Sequence, residues 1–491
     1  MRVRNTFVPT VRPRLAMILC AIALCAIALQ SCAVGPDYRE PDASPPQTWH
    51  ALAQPGAVTL DPQATADAEW WGAFDDPLLT RLIERALRSN RDVDQALARV
   101  REARARQRIA TADFFPRVAG SATASHAESG SNGGTFTASG DRDIYDAGLD
   151  ASWELDLFGG IRRGREAATA QLQATQADLN DVLITLLGDV ALNYTNYRTA
   201  QARIAFAQRN LASLAEVYDM TRWRAEAGLS AALDVEQART SLEQTRAQIP
   251  SLEANLAAFA NRLAVLLGEP AGALAAELDA VQPIPVAPTS LVTDLPANVL
   301  RQRPDVRRAE RQLAIQSAEI GVATAALYPS LTLSGSIGVQ ATALHDLSGA
   351  DAAKSAGLSL NIPIFNGDAL RQNVKVQNAV FDQLLAAYQS TLLLALEETD
   401  NAFTSWLTER RRYQSLVAAV DSSRRATELA VLQYNSGLVD FEAVLSAQRS
   451  QITLEDQLAL SEGDLTGNTI RLYKALGGGA NRLPALLTSS R

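Results

Sequence analysis

The chain has 491 residues, of which 47% are apolar and 20% are charged, with 54 acidic and 45 basic side chains. This apolar content is too high for a disordered polymer, and the length suffices for a large core or several subdomains. Phosphate contact needs a basic surface, so a pI near 5.1 argues against a nucleic-acid-binding protein. Three histidines and three cysteines, widely spaced or N-terminal, argue against zinc, haem and iron–sulfur centres.

Residues 1–31 have the pattern of a secretory signal peptide. Four arginines precede an apolar run from Leu15 to Leu29, which spans only about 22 Å as a helix, less than the roughly 30 Å hydrocarbon core. The alternative is a retained membrane helix. Cys32 follows at the cleavage position, which resembles the bacterial lipoprotein signal, and Ala33 resembles lipoproteins sent to the outer membrane. We therefore expect a covalent lipid on Cys32. Because histidine and cysteine are so few, we expect no cofactor and no metal.

Residues 32–76 are predicted to form a lipidated, extended N-terminal segment. Prolines are dense from Cys32 to Gln63, and proline opposes regular helix. Such a segment would let the lipid sit some distance from the folded body.

The two halves of the chain repeat one another in order. Matching positions include Leu87 and Leu300, Asp92 and Asp305, Gly228 and Gly437, and Leu267 and Leu476. The sequence therefore predicts two structural repeats at 77–267 and 297–476. A proline-rich connector at 268–296 separates them, and a tail at 477–491 ends the chain.

Each repeat is predicted to contain a helix, two strands, a very long helix and a further helix. Apolar and polar residues alternate from Tyr145 to Leu157, which is typical of a strand. The hairpins are placed at about 117–157 and 330–365. The acidic side chains of the first hairpin are expected to line an interior: Asp146, Asp150, Glu154 and Asp156.

The period then changes to seven, which predicts helices with coiled-coil packing. The long helices are expected at 161–226 and 368–436, and the first would extend roughly 100 Å. Shorter helices are expected at 77–112, 230–267 and 440–476. Pro250 is expected to kink the second of these, with Ser251 capping its continuation.

Four strands of about ten residues suit a membrane β-barrel, but four strands cannot close one. The chain must therefore associate with copies of itself, and three copies would supply twelve strands. The fold class is mainly α with membrane β. A twelve-stranded barrel would continue into a long α-helical barrel.

Six segments resemble the TolC-like outer-membrane efflux family, in particular its lipoprotein branch of NodT-like outer-membrane factors. They are CAVGPDY (32–38), EWWGAFDDPLL (69–79), RPDVRRAERQL (303–313), YPSLTLSGS (328–336), IPIFNG (362–367) and YNSGLVDFEAVLSAQR (434–449). The resemblance implies a homotrimer in the bacterial outer membrane that extends into the periplasm. It also implies a periplasmic membrane-fusion adaptor and an inner-membrane transporter of the RND type as partners.

The resemblance also assigns candidate sites. The turns at Gly228-Leu229 and Gly437-Leu438 look like the periplasmic tips, where the adaptor docks and the tunnel is gated. Relatives commonly carry pore aspartates one and two turns after the second glycine, where this chain has Ala443 and Ser446. The candidate residues at the pore or gate are Ser446 and the nearby acids Asp234, Asp440 and Glu442.

Three other functions compete with that of a small-molecule efflux duct. An enzyme would need a catalytic motif, and the adjacent acids of Asp75-Asp76 and Glu397-Glu398 point in different directions on a helix. A purely structural coiled coil would not need alternating strands. The outer-membrane channel of a type I protein secretion system is the remaining alternative. Arg303-Pro304-Asp305 and Trp70-Trp71 are expected to be structural.

Overall fold

The computed structural model of the chain describes residues 33–42, 46, 48–53, 69–127, 142–286 and 296–478. The predicted signal peptide at 1–31, the lipid site Cys32 and residues 479–491 of the predicted tail lie outside the described residues. The described part is mainly helical with one small antiparallel sheet. This is the fold class that the sequence predicts.

The first repeat begins with a helix that is interrupted at Asn90. Its elements are α1 (Pro77–Ser89), α2 (Arg91–Ala112), β1 (Arg117–Ala127), β2 (Arg142–Leu155), α3 (Gly160–Glu226) and α4 (Ala232–Leu266). The prediction of one helix over 77–112 is therefore wrong. The Asn90 side chain accepts hydrogen bonds from the backbone N–H groups of Asp92 and Val93 and donates to the Leu266 carbonyl. It thus ends one helix and caps the next.

The second repeat has the same order of elements after a connector that is partly helical. The connector contains α5 (Ala275–Leu278), where the sequence predicts only extended chain. The elements that follow are α6 (Pro296–Gln302), α7 (Pro304–Ala325), β3 (Ser330–Ala341), β4 (Ala353–Asn361), α8 (Ala369–Asn435) and α9 (Phe441–Ala475). Short 3₁₀ helices lie at Ala51–Ala53, Trp70–Phe74 and Leu344–Asp346.

Pro250 lies inside α4, which is a single helix from Ala232 to Leu266. The prediction that Ser251 caps a restarted helix is therefore wrong. A proline removes one hydrogen bond from a helix, and the remaining bonds of this long helix keep it continuous.

The described residues divide into two compact units. One unit contains residues up to Glu40, 101–174 and 310–387, and therefore the whole sheet. Its strands follow the order β1-β2-β3-β4, and every neighbouring pair is antiparallel. Leu149 of β2 lies opposite Gly120 of β1 and Ile337 of β3, which fixes the register at the centre.

The other unit holds an aromatic cluster where the sequence places two tryptophans. Trp70 and Trp71 are buried, and the Trp70 ring stacks on Tyr473 with 5.3 Å between centroids. Phe74 also contacts Trp70, edge-on with 6.1 Å between centroids. Both tryptophans are therefore core residues, in agreement with their predicted structural role.

Arg303 ties the start of α7 to α8 and α9 in the same unit. Its buried guanidinium donates to Asp305, to Glu398 at 2.6 Å and to the Ala475 carbonyl at 2.8 Å. Burial favours a raised pKa for Asp305, but the hydrogen bond and charge of Arg303 outweigh it and lower that pKa. The motif at 303–305 is thus a structural clamp. The buried hydroxyl of Thr399 on α8 donates to the same Ala475 carbonyl, at 3.3 Å.

A second buried arginine fixes the inter-repeat connector to α3. Arg198 is fully buried, and its guanidinium donates to the Ala280 carbonyl at 2.8 Å and to Gln201 at 2.6 Å. It also donates to the Tyr194 hydroxyl, which in turn donates to Asp76 at 2.7 Å. Burial, followed by this hydrogen bond to Asp76, raises the pKa of Tyr194.

Replacing Asp76 by alanine is expected to destabilise this unit by about 2 kcal/mol, because two kinds of hydrogen bond are lost. The carboxylate caps α1 by accepting from the backbone N–H groups of Leu78 and Leu79, and it also accepts from Tyr194. The midpoint of thermal unfolding of the detergent-extracted protein measures the change. Asp76→Asn keeps an acceptor and should lose less; equal midpoints for wild type and Asp76→Ala would contradict the proposed network.

Candidate functional site

The sheet has one apolar face and one polar face. The register places Leu149, Ile337 and Leu333 on the same face, and Asp150 and Ser336 on the other. The apolar side chains are largely uncovered, since Leu149 is 53% and Leu358 is 65% exposed. A strand surface that presents leucine and isoleucine outward is suited to lipid.

Acidic and hydroxyl side chains continue across the polar face. Ser121 of β1 donates to Asp150 at 3.4 Å, and Thr123 donates to Asp146 at 3.3 Å. Glu154 lies on the same face, opposite Thr332. Asp156 does not belong to it: its carboxylate accepts from the first backbone N–H groups of α3. The prediction that Asp156 lines an interior is therefore wrong, because the residue caps a helix beyond the strand.

Aromatic residues mark the edge of the sheet where the strands join the helices. The Trp153 indole donates to the Phe114 carbonyl at 3.0 Å. The Phe158 ring, between β2 and α3, stacks on the Tyr328 ring, between α7 and β3, with centroids 4.7 Å apart. All four strand–helix junctions share this edge, since β1 and β3 begin there and β2 and β4 end there. Amphipathic aromatic rings are typical of membrane–water interfaces.

The outer strands β1 and β4 each pair on one side only within the described sheet. Their other sides carry backbone N–H and C=O groups that another strand is able to pair. The sheet is therefore incomplete by itself at both edges.

The predicted helix-pair turns are left-handed at glycine. Gly228 has φ +74° and Gly437 has φ +72°, and an added Cβ would meet nothing within 4 Å at either position. Backbone conformation rather than space thus requires glycine. Leu229 N–H donates to the Arg224 carbonyl and Leu438 N–H to the Gln433 carbonyl, which is the Schellman pattern. Both leucines are exposed.

All three candidate gate acids line one groove beside these turns. A cavity of about 450 Å³ is lined by Asp234, Asp440 and Glu442 together with Leu229 and Gly437. Gly228, Leu438 and Ser446 are not part of its lining. Ser446 is exposed one turn beyond Glu442 on α9, so these two share a helix face.

Two of these carboxylates also have local structural partners. Asp440 caps α9 by accepting from the Ala443 N–H at 3.2 Å. Asp234 accepts from the Ala231 N–H at 3.2 Å near the start of α4. Helix capping thus accounts for the presence of both acids, and their role at a pore stays a prediction.

Sequence reasoning missed Arg224 and Tyr434, which line the same groove. The Arg224 guanidinium lies 4.6 Å from the centroid of the Tyr434 ring, and this ring packs against Phe441. Burial raises the pKa of Tyr434. A basic residue in the last turn of α3 was the available signal, but its aromatic partner lies on another helix.

The N-terminal residues after Cys32 are docked rather than free. Val34 N–H donates to the Phe158 carbonyl at 3.0 Å, and Gly35 lies so close to Gly321 that an added Cβ would come within 2.5 Å. Ala33 lies against Gly159 in the same way. The expectation that this segment holds the lipid away from the folded body is therefore wrong, because Cys32 adjoins a residue packed at the junction of β2 and α3.

Comparison with known proteins gives a consistent result along the chain. The family described as outer membrane efflux protein matches residues 82–269 and 295–478. Nodulation protein T of Rhizobium leguminosarum bv. trifolii is 34% identical over 454 residues, 92% of this chain and 95% of that protein. The toluene efflux pump outer membrane protein TtgF of Pseudomonas putida is 34% identical over 458 residues, 91% and 94% of the two chains. The solved outer-membrane channel OprN has 37% identity and a TM-score of 0.85, covering 91% of this chain and 100% of its own.

Neutralising the groove acids with Asp440→Asn and Glu442→Gln is expected to increase ion leakage through the closed protein in planar bilayers. Carboxylates that meet at a narrow pore axis repel one another and bind cations, so their charge affects the equilibrium between the open and closed pore. Asparagine at position 440 keeps an acceptor for the cap of α9. Glu428→Gln removes the same charge from an exposed position on α8 and serves as the control. Unchanged conductance in the double variant would contradict a gate role for these acids.

Proposed function

This chain belongs to the outer membrane efflux protein family, and we propose that it is the exit duct of a tripartite pump that conducts small molecules from periplasm to exterior. It is an outer-membrane protein and an efflux duct. The observation that carries the mechanism is the two-faced sheet with unpaired edges. The duct supplies a water-filled path and no chemistry, so transport through it is passive.

The sheet edges support a homotrimer. In lipid, an unpaired backbone group costs several kcal/mol, so only closed barrels of strands span membranes. Three copies of a four-stranded sheet supply the roughly twelve strands of an ordinary outer-membrane barrel. The polar faces with Asp146, Asp150 and Glu154 then enclose water, and the apolar faces contact lipid.

The helices also carry apolar surface that needs neighbours. Among the described residues, α8 contains an 18-residue window with a mean hydropathy of 1.3, of which 11% is buried in the single chain. Leu393 and Leu394 on this helix are exposed. Because monomeric proteins rarely leave such patches uncovered, we assign this surface to contact with adjacent subunits in the helical barrel.

The partners follow from the family and the turns. The duct works with a periplasmic adaptor and an inner-membrane transporter, and we assign the adaptor to the exposed leucines of the two turns, Leu229 and Leu438. The name of a relative, the toluene efflux pump outer membrane protein, supports small organic compounds as the exported class, and we assign the third component to an RND-type transporter. A covalent lipid on Cys32 would add a second anchor in the same membrane.

The type I secretion alternative is not favoured, because relatives that span most of this chain are efflux pump components. The family consists of outer-membrane channels rather than enzymes. Among the described residues, no group of three or more histidine, cysteine, aspartate or glutamate side chains is arranged to hold a metal.

Joining the sheet edges by cysteine pairs is expected to give covalent trimers. Ser121→Cys on β1, combined in turn with Ser355→Cys, Gly357→Cys or Ser359→Cys on β4, places thiols on the polar face at both edges. Non-reducing electrophoresis of oxidised membranes should show dimers and closed trimers for at least one pair. Ser121→Cys with Ser334→Cys on the inner strand β3 is the control. Monomers only, for every edge pair, would contradict the shared barrel.

Export is expected to require the second turn. In a host that keeps an adaptor and transporter but lacks its duct, this chain should restore efflux of a fluorescent transporter substrate. Gly437→Val strains a backbone with φ +72° and should reduce efflux several-fold without loss of trimers. Gly349→Ala, in the β3–β4 loop, is the matched control. Absence of efflux with the wild-type chain and several adaptor–transporter pairs would contradict the proposed function.

A further inference from the structure

A cavity of about 670 Å³ opens beside the edge of the sheet where strands join helices. Four segments of one unit form its walls: the N-terminal residues Asp37 and Tyr38, Phe114 between α2 and β1, the first turns of α3, and part of α7. The proposed function assigns no role to this cavity.

Guanidinium groups dominate its walls. The charged side chains that line it are Arg162, Arg163, Arg165, Arg311, Asp37 and Glu166. The lining thus has four arginines and two carboxylates, and Arg162 and Arg311 also pair with Asp156 and Glu310 outside it. Clustered guanidinium groups are well suited to phosphate, which they bind through charge-assisted hydrogen bonds.

Arg163 makes the cavity a preformed site. Its side chain is only 5% exposed and donates to Asp37 and Glu166 at 2.8 Å each. It also donates to the Val34 carbonyl at 3.3 Å. These bonds hold the N-terminal segment against α3 as a fixed wall and occupy both carboxylates of the lining.

Arg165 is the group left to meet a ligand. It is exposed, its guanidinium lies 5.9 Å from the centroid of the Phe114 ring, and it pairs with no carboxylate among the residues that the structure describes. Arg162, nearby on the same turn, forms an ion pair with Asp156 at 3.2 Å. Phe114, Ala170 and Ala318 add apolar surface to the same cavity.

The depth of these arginines matches a lipid headgroup. β2 ends at Leu155 and α3 begins at Gly160, so Arg162 and Arg165 lie roughly 3–8 Å along the helix beyond the junction. The headgroup region on each side of a bilayer is about 5–8 Å thick. This step rests on the proposed function, which places the sheet in the membrane and the helices on the periplasmic side.

We propose that this cavity binds the phosphate headgroup of an anionic glycerophospholipid from the periplasmic leaflet of the outer membrane. Arg165 and Arg162 donate to the phosphate, and Phe114 with the alanines contacts the glycerol and the first methylenes. The apolar wall and the position beside the sheet favour a lipid over free phosphate. The bound lipid fixes the height of the duct in the bilayer.

Native mass spectrometry of the detergent-extracted protein with added phosphatidylglycerol tests the site. Arg165→Gln is expected to weaken phosphatidylglycerol retention about tenfold, as the loss of one charge-assisted hydrogen bond implies, and Arg165→Lys should retain more. Thr169→Asp, which puts a carboxylate in the lining, should weaken it independently of Arg165. The matched controls are Arg425→Gln on α8 and Thr240→Asp on α4, whose threonine makes the same local hydrogen bond to the backbone as Thr169; both should retain the lipid.

The remaining outcomes each decide against a part of the proposal. Equal retention by wild type and Arg165→Gln would overturn the site, as would equal retention of phosphatidylcholine. Displacement of the lipid by excess inorganic phosphate would overturn the choice of a lipid as ligand. Failure of wild type and both controls to retain any phospholipid would contradict the membrane placement itself, and thus the proposed function rather than the cavity alone.

Discussion

Backbone hydrogen bonding at the sheet edges is the constraint on which the rest of this structure depends. The described sheet has four strands that pair with one another, and its outer strands β1 and β4 each leave one side open. An apolar environment provides no water for the open groups, so the edges must meet other strands. The alternation of Leu149 with Asp150 adds a second demand, since one face requires lipid and the other requires water. A shared, closed barrel satisfies both demands at once.

Closure of the proposed barrel would also explain why the helices are long and incompletely covered in one chain. A helix of 67 residues such as α3 or α8 is far longer than the three turns of an ordinary globular helix. Heptad packing stabilises such helices laterally, through neighbours, rather than through a compact core. The exposed apolar window of α8 follows from the same arrangement, because some of its neighbours belong to other subunits of the proposed assembly.

Regular patterns made most of the fold predictable from the sequence, and contacts between distant residues account for the rest. Period-two and period-seven patterns predict the strands and long helices because each is set by local geometry. The break at Asn90 combines a local cap on Asp92 and Val93 with a bond to the Leu266 carbonyl, far away in sequence; the asparagine was a local signal, but the distant bond was not predictable. Asp156 fits the alternating pattern of β2 but lies just after the strand ends. There its carboxylate accepts from the first backbone N–H groups of α3.

The candidate sites show the same division. The turn glycines are predictable because a reversal of two helices requires a left-handed residue. The groove formed by Arg224, Tyr434 and the candidate acids combines two helix pairs, so its membership needed the structure. The docking of residues 33–38 on α3 was likewise hidden, because proline content predicts extended chain and not what the extended chain touches.

Arg198 has a consequence for the origin of the duplicated chain. Its guanidinium donates to the Leu278 and Ala280 carbonyls of the linker between the two halves, a stretch that occurs once per polypeptide. In a half-length chain without this linker, the buried guanidinium would keep only its bonds to Tyr194 and Gln201. A buried arginine at this position is therefore accommodated better in a chain whose halves are joined, and the first half is matched to the linker that follows it.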